Sequence, residues 1–215
     1  MEIQRPLAGL IFFFCLPLWV NASEVNARNW RFRVYLDDKE IGSHTFSVQK
    51  STDQIEVTSS ARFDVKVLFI NAYQYRHEAK EIWRDDCLTD LSALTDDNGT
   101  QLSVKAVQST VGLNVSTEKK KFNLSGCVMS FAYWNPEILQ QTRLLNAQTG
   151  EYEQITIQSL ASTVLQVAGK AQTAQQFTLI GKKLKIDLWY APDGTWLALE
   201  SMTEQGARLR YVLSG

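Results

Sequence analysis

From Trp30 to Leu213 the chain keeps returning to a two-residue period, and that period most constrains how it folds. Successive side chains of an extended strand point to opposite faces, so alternating apolar and polar residues mark a sheet with one face buried. Trp30, Phe32, Val34 and Leu36 alternate with Arg31, Arg33 and Tyr35. After the turn Asp37-Asp38-Lys39-Glu40, residues 41–48 return with His44, Phe46 and Val48 on one face. Residues 54–67 (QIEVTSSARFDVKV) form a strand long enough to bend. In residues 73–83, Tyr73, Tyr75, His77, Ala79, Glu81 and Trp83 share a face.

Turn chemistry separates these runs. Asp85-Asp86 and Asp97-Asn98-Gly99 bracket residues 88–95, and Asn-Gly is a strong hairpin signature. Short alternating pieces follow at residues 102–111, 113–117, 122–124, 152–160, 164–167 and 176–180. Residues 184–190 and 196–202 flank Ala191-Pro192-Asp193-Gly194-Thr195, where Pro192 and Gly194 suit a type I turn with a bulge. Gly206 then turns the chain into residues 209–213. Roughly ten or more strands on short connections predict an all-β antiparallel meander, and a sheet of that size curls or closes. The expectation is a strongly curved sheet or partly open barrel, with a two-sheet β-sandwich as the alternative.

One stretch breaks the rhythm: AYWNPEILQQTRLLNAQTG, residues 132–150. Asn135 is a good N-cap, Pro136 fits the first helical position and Glu137 suits the positive end of the helix dipole. The spacing predicts one short helix near residues 136–141, with Tyr133 and Trp134 anchoring it inward over an open end of the sheet.

The N-terminus reads as an export signal. Arg5 precedes the apolar run 7–20 (LAGLIFFFCLPLWV), and Val20-Asn21-Ala22 offers a cleavage site after Ala22. The run is shorter than the ~20 residues of a membrane span and contains Pro17, so no stable span is expected after cleavage. Residues 23–215 then form a single β-rich domain in the periplasm. With 22 Lys plus Arg against 23 Asp plus Glu, no field suits nucleic acid. Asn98-Gly99-Thr100, Asn114-Val115-Ser116 and Asn123-Leu124-Ser125 match a glycosylation acceptor that matters only in a eukaryotic secretory route.

Cys15 leaves with the signal, so Cys87 and Cys127 remain as an even pair in an oxidising compartment. They form a disulfide if the fold brings them together. They lack the Cys-x-x-Cys or His-x-x-His spacing of a zinc site, and no cofactor fingerprint is present. Asp187, Asp193 and Glu200 flank the last hairpin but read as turn or solvent-facing residues, not a glycosidase pair. His44 and His77 are the chain's two histidines, and both fall on apolar faces. His77 with Glu81 further along its face suggests general acid–base chemistry; equally, a buried histidine is satisfied by tyrosine hydroxyls or a carboxylate. The aromatic residues are the richer feature. Tyr75, His77, Trp83, Tyr133, Trp134 and Trp189 are candidates to line a binding cavity.

The ordered motifs RVYLDDKEIGSHTFSV, YRHEAKEIWRDDCLTDLSALTDDNGT, SFAYWNPEILQQTRLLNAQTG and DLWYAPDGTWLALES…GARLRYVLS resemble a family of exported bacterial proteins described as a domain of unknown function. The resemblance spans residues 29–213. It implies a periplasmic β-rich protein with no catalytic residues to carry over, similar in style to the lipid-binding half-barrels of the envelope. Three functions follow. A non-enzymatic binding module for a lipid-like or other apolar ligand comes first. An envelope protein with a protein partner, and a hydrolase-like enzyme using His44, His77 and Glu81, are the alternatives.

Overall fold

The computed structural model describes residues 26–67 and 70–214; the expected export signal, residues 1–22, lies outside them. Fourteen strands follow in chain order. The first eight are β1 (Asn26–Leu36), β2 (Lys39–Lys50), β3 (Ile55–Val67), β4 (Ile70–Arg84), β5 (Cys87–Asp97), β6 (Thr100–Ser109), β7 (Gly112–Thr117) and β8 (Lys121–Leu124). After a 3-10 helix at Pro136–Gln140 come β9 (Arg143–Leu145), β10 (Tyr152–Val167) and β11 (Lys170–Gly181). The last three are β12 (Lys185–Tyr190), β13 (Trp196–Met202) and β14 (Arg208–Leu213).

All fourteen belong to one antiparallel sheet in the order β8-β7-β6-β5-β4-β3-β2-β1-β14-β13-β12-β11-β10-β9. The curved, partly open barrel is therefore the fold, and the two-sheet sandwich is not. Each neighbour pair is a hairpin except β1 with β14, which joins the two ends of the chain in antiparallel register from Phe32↔Leu213 to Leu36↔Leu209. The sheet stays open between β8 and β9, and residues 125–142 run between those two edges.

Local chemistry explains the tight hairpins. Asp85-Asp86, Asn98-Gly99 and Ala168-Gly169 hold both central residues at positive φ, the mirror-image turn whose twist matches the flanking strands. Bulges at Val34/Tyr35, Val65/Lys66, Ile82/Trp83 and Trp189/Tyr190 bend the long strands. A fifth lies between Ser159 and Ser162. It corrects the reading of residues 152–160 and 164–167 as separate strands: they are the two halves of β10, and the break in alternation is the bulge.

The main core lines the concave side. Phe32, Trp83, Ile138, Leu144, Leu145, Leu179, Leu188 and Trp196 are fully buried there. A smaller cluster of Val167, Ala174, Trp189 and Leu197 packs separately, where the outer half of the β10–β11 hairpin supplies Val167 and Ala174. Asn135 caps the 3-10 helix by accepting from the Glu137 backbone N–H at 3.0 Å, with Pro136 in its first turn and Ile138 buried, as the sequence predicts. Among the described residues no helix is long and apolar enough to cross a membrane.

Cys87 and Cys127 form the disulfide, with Cα atoms 5.0 Å apart. It ties the start of β5 to the crossing segment, and the Leu88 N–H donates to the Val128 carbonyl at 2.8 Å beside it. The two cysteines are 40 residues apart in sequence. A closed loop of that size removes unfolded-chain entropy that stabilises by about 4 kcal/mol. We predict that the double variant Cys87→Ser/Cys127→Ser unfolds in urea with stability lower by roughly that amount, and that reductant has no further effect on it.

Candidate functional site

The concave side of β2, β3 and β4 carries the candidate site. Strand register places His44 opposite Ala61 and Ala61 opposite His77. One row along, Phe46 faces Ser59 and Ser59 faces Ala79; the next row pairs Val57 with Glu81. Small side chains at Ser59 and Ala79 thus sit between larger neighbours, which leaves a hollow above the sheet. Residues 130–134 of the crossing segment and residues 146–148 after β9 roof it. Leu184, Ile186 and Tyr211 complete a cavity of about 260 Å³.

The roof is held by specific bonds. The Leu145 N–H donates to the Met129 carbonyl and the Phe131 N–H to the Leu145 carbonyl, so β9 carries the crossing segment on its free edge. The Tyr190 hydroxyl donates to the Tyr133 carbonyl at 2.8 Å. Tyr75 donates to Gln148 at 3.0 Å, and Gln148 donates in turn to Asp97 at 3.3 Å. A Cβ on Gly150, which adopts φ +70°, would collide with Thr117, so that loop fits closely against β7.

Two imidazoles and one carboxyl line the cavity, and each is bonded to a neutral partner. His77 Nδ1 lies 2.7 Å from the Thr95 hydroxyl, and His44 Nδ1 lies 3.3 Å from the Tyr211 hydroxyl. Glu81 accepts from the Ser130 hydroxyl at 2.8 Å and from the Trp83 indole N–H at 2.9 Å. Burial pushes the Glu81 carboxyl above its usual range, against the opposing pull of those two hydrogen bonds. Burial, reinforced by nearby His77, pushes the His44 imidazole down to about 3, and burial also lowers His77. His77 and Glu81 are four residues apart on one strand, a separation of about 13 Å, so they form no direct acid–base pair. His44 and His77 lie two strands apart, roughly 10 Å between backbones.

Residues 32–214 match the family described as Domain of unknown function (DUF6134). The chain belongs to that family. A solved structure titled as a beta-barrel-like protein of Domain of Unknown Function DUF1849 from Brucella abortus is similar, with a TM-score of 0.65 and 11% sequence identity. The alignment covers 89% of this chain and 97% of that one, and at such identity it speaks for the fold alone. Comparison with curated proteins yields no match.

In this DUF6134 chain, Tyr75, His77, Tyr133 and Trp134 converge on the cavity, with His44 and Glu81 beside them. Trp83 stands behind the wall, fully buried, its ring 5.5 Å from that of Trp134 and its indole on Glu81. Trp189 does not join them: it sits in the separate cluster with Val167, Ala174 and Leu197, its neighbours Leu188 and Tyr190 turning to the main core instead. Asp187 and Glu200 are cross-strand neighbours engaged with Thr178 and Arg208, and Asp193 holds its own turn through the Thr195 N–H. Phe46, Ser130, Gln148 and Tyr211 line the cavity without having been singled out from the sequence. Phe46 and Tyr211 lie in alternating runs that foretell burial, whereas Ser130 and Gln148 sit in irregular chain with no such cue.

The histidines give the site a pH dependence of definite sign. His44 binds fewer protons when folded than a free imidazole of pKa 6.5, so stability is present above about pH 6.5 and is lost as pH falls toward 3. At about pH 5 the His44 contribution amounts to a loss on the order of 2 kcal/mol relative to neutral pH, and His77 adds in the same direction. Urea midpoints across this range should fall with acid, and His44→Gln should flatten the slope.

Proposed function

We propose that this protein is an exported, non-enzymatic binding module that holds a small apolar or amphipathic molecule, such as a lipid-like group, in service of the cell envelope. The cavity of about 260 Å³ carries the proposal, because Phe46, Tyr75, Phe131, Tyr133 and Trp134 line it while the small residues Ser59 and Ala79 on its floor keep it open. Rigid rings with polar tips cover an apolar body and still offer hydrogen bonds. The volume lies at the low end for ligand sites, which favours one small molecule or chain segment over a whole two-chain lipid.

The disulfide supports export, since such bonds persist in oxidising compartments. Each cavity carboxyl or imidazole is bonded to a hydroxyl or indole and not to another carboxyl or imidazole, which speaks for binding over acid–base turnover. Recruitment of a protein partner along a sheet edge finds less support. The β8 edge is four residues long, and the three-residue β9 edge already carries the crossing segment.

Native mass spectrometry of the protein recovered from the envelope fraction of its own host should show a small-molecule adduct that organic solvent extracts. Ala79→Phe, which places a ring in the hollow between Ser59 and Ala93, should remove the adduct and the uptake of neutral N-phenyl-1-naphthylamine while leaving the β-sheet spectrum intact. Adduct-free protein that also ignores the dye would sink the proposal.

A further inference from the structure

Two buried nitrogens in the cavity wall have no protein partner. Trp134 Nε1 and His44 Nε2 are shielded from solvent, yet neither meets a donor or acceptor among the described residues. The polar groups around them satisfy one another. Ser130 and Trp83 occupy the two oxygens of Glu81, Thr95 occupies His77 Nδ1, and Gln148 links Tyr75 to Asp97.

An indole N–H only donates, so whatever completes Trp134 presents an acceptor. A neutral imidazole carries its proton on one nitrogen. The Tyr211 phenol, whose oxygen lone pair is delocalised into its ring, is the better donor to His44 Nδ1 and leaves the proton on Nε2. The unpartnered set then consists of two donors. Leaving buried donors unpaired costs free energy that a ligand acceptor would recover.

Charge narrows the class further. Among the described residues no Lys, Arg or Asp lines the cavity, and both Glu81 oxygens are taken. Burial holds His44 and His77 uncharged at neutral pH. An ionised ligand would give up its hydration and find no free counter-charge. Resting on the binding reading above, we infer that the ligand is an uncharged molecule with an oxygen acceptor for the Trp134 indole N–H and for His44 Nε2, carried on an apolar body. Ketones, esters, amides and ethers have that chemistry; fatty-acid anions and organic cations do not.

A matched set of probes separates the terms: 2-acetylnaphthalene carries a carbonyl, 2-ethylnaphthalene lacks one, and 2-naphthoate adds a charge. Titrated into the unmodified protein at pH 7, the ketone should bind roughly tenfold tighter than the hydrocarbon, from one to two recovered hydrogen bonds. The carboxylate should bind more weakly than either. The Trp134 indole N–H resonance should move downfield with the ketone and stay in place with the hydrocarbon. In Trp134→Phe the ketone should lose its advantage while the hydrocarbon keeps its affinity; should that variant fail to fold, the ranking and the resonance of the unmodified protein decide alone. Equal binding of ketone and hydrocarbon, or tightest binding of naphthoate, overturns this inference and leaves the binding reading standing. When no probe binds, the molecule copurified from the host decides: an uncharged acceptor-bearing adduct upholds the inference, and a charged or acceptor-free adduct overturns it. An empty protein overturns both.

Discussion

The pairing of the first strand with the last is the contact on which the remaining structure depends. Seven strands lead away from β1 and five from β14, and the ladder from Phe32↔Leu213 to Leu36↔Leu209 makes them one sheet. The other ladders join consecutive strands and close locally, at small entropic cost. This one closes nearly the whole chain, so it must be repaid by packing. Phe32 on β1 and Trp196 on β13 supply that packing, both fully buried with ring centres 4.2 Å apart. Phe46 from β2 and Tyr133 from the crossing segment reach the same indole at 5.2 Å and 5.4 Å. The seam of the sheet and the roof of the cavity therefore share one aromatic cluster. Losing the seam would release the roof as well.

The hollow follows from how that cluster meets its floor. A curved sheet of fourteen strands encloses more space than its own inward side chains fill, and one irregular segment must fill the remainder. Residues 128–145 fill the end near Trp83, where Val128, Ile138, Leu144 and Leu145 are buried against the sheet. At the other end of β3 and β4, Phe63 stacks on Tyr75 with ring centres 5.3 Å apart and closes the space again. Between these two plugs stand Ser59 and Ala79, which are too short to meet the roof. The cavity is bounded along the strands by large side chains and across them by ladders, so its position is a property of the sheet's residue order.

That order was legible for the strands and only partly for the site. The alternation of residues 73–83 put Tyr75, His77, Glu81 and Trp83 on one face, and the structure keeps them there because a two-residue period cannot slip without turning the whole face outward. Asn135-Pro136-Glu137 likewise announced the 3-10 turn, since capping is a local interaction. Trp189 shows where such reading ends. Its strand β12 buries consecutive residues Leu188, Trp189 and Tyr190, because the returning β10–β11 hairpin covers the second face. Which face an aromatic ring takes then depends on a long-range contact that no local period encodes. Ser130 and Gln148 were invisible for a related reason: their roles come from the path of irregular chain over the sheet.

The buried polar groups distinguish this hollow from an all-apolar core. Filling this space with aliphatic side chains would avoid the desolvation of two imidazoles and a carboxyl, and interiors built for stability alone favour that solution. Here His44, His77 and Glu81 are all retained, and the partners Tyr211, Thr95, Ser130 and Trp83 engage them from separate elements. Those partners fix the orientation of each group, and burial disfavours its charged form. Partners so placed rigidify a polar wall without adding a formal charge to it. The destabilisation by acid is then the consequence of keeping the imidazoles of that wall neutral: the same burial that silences His44 makes its protonation costly to the fold.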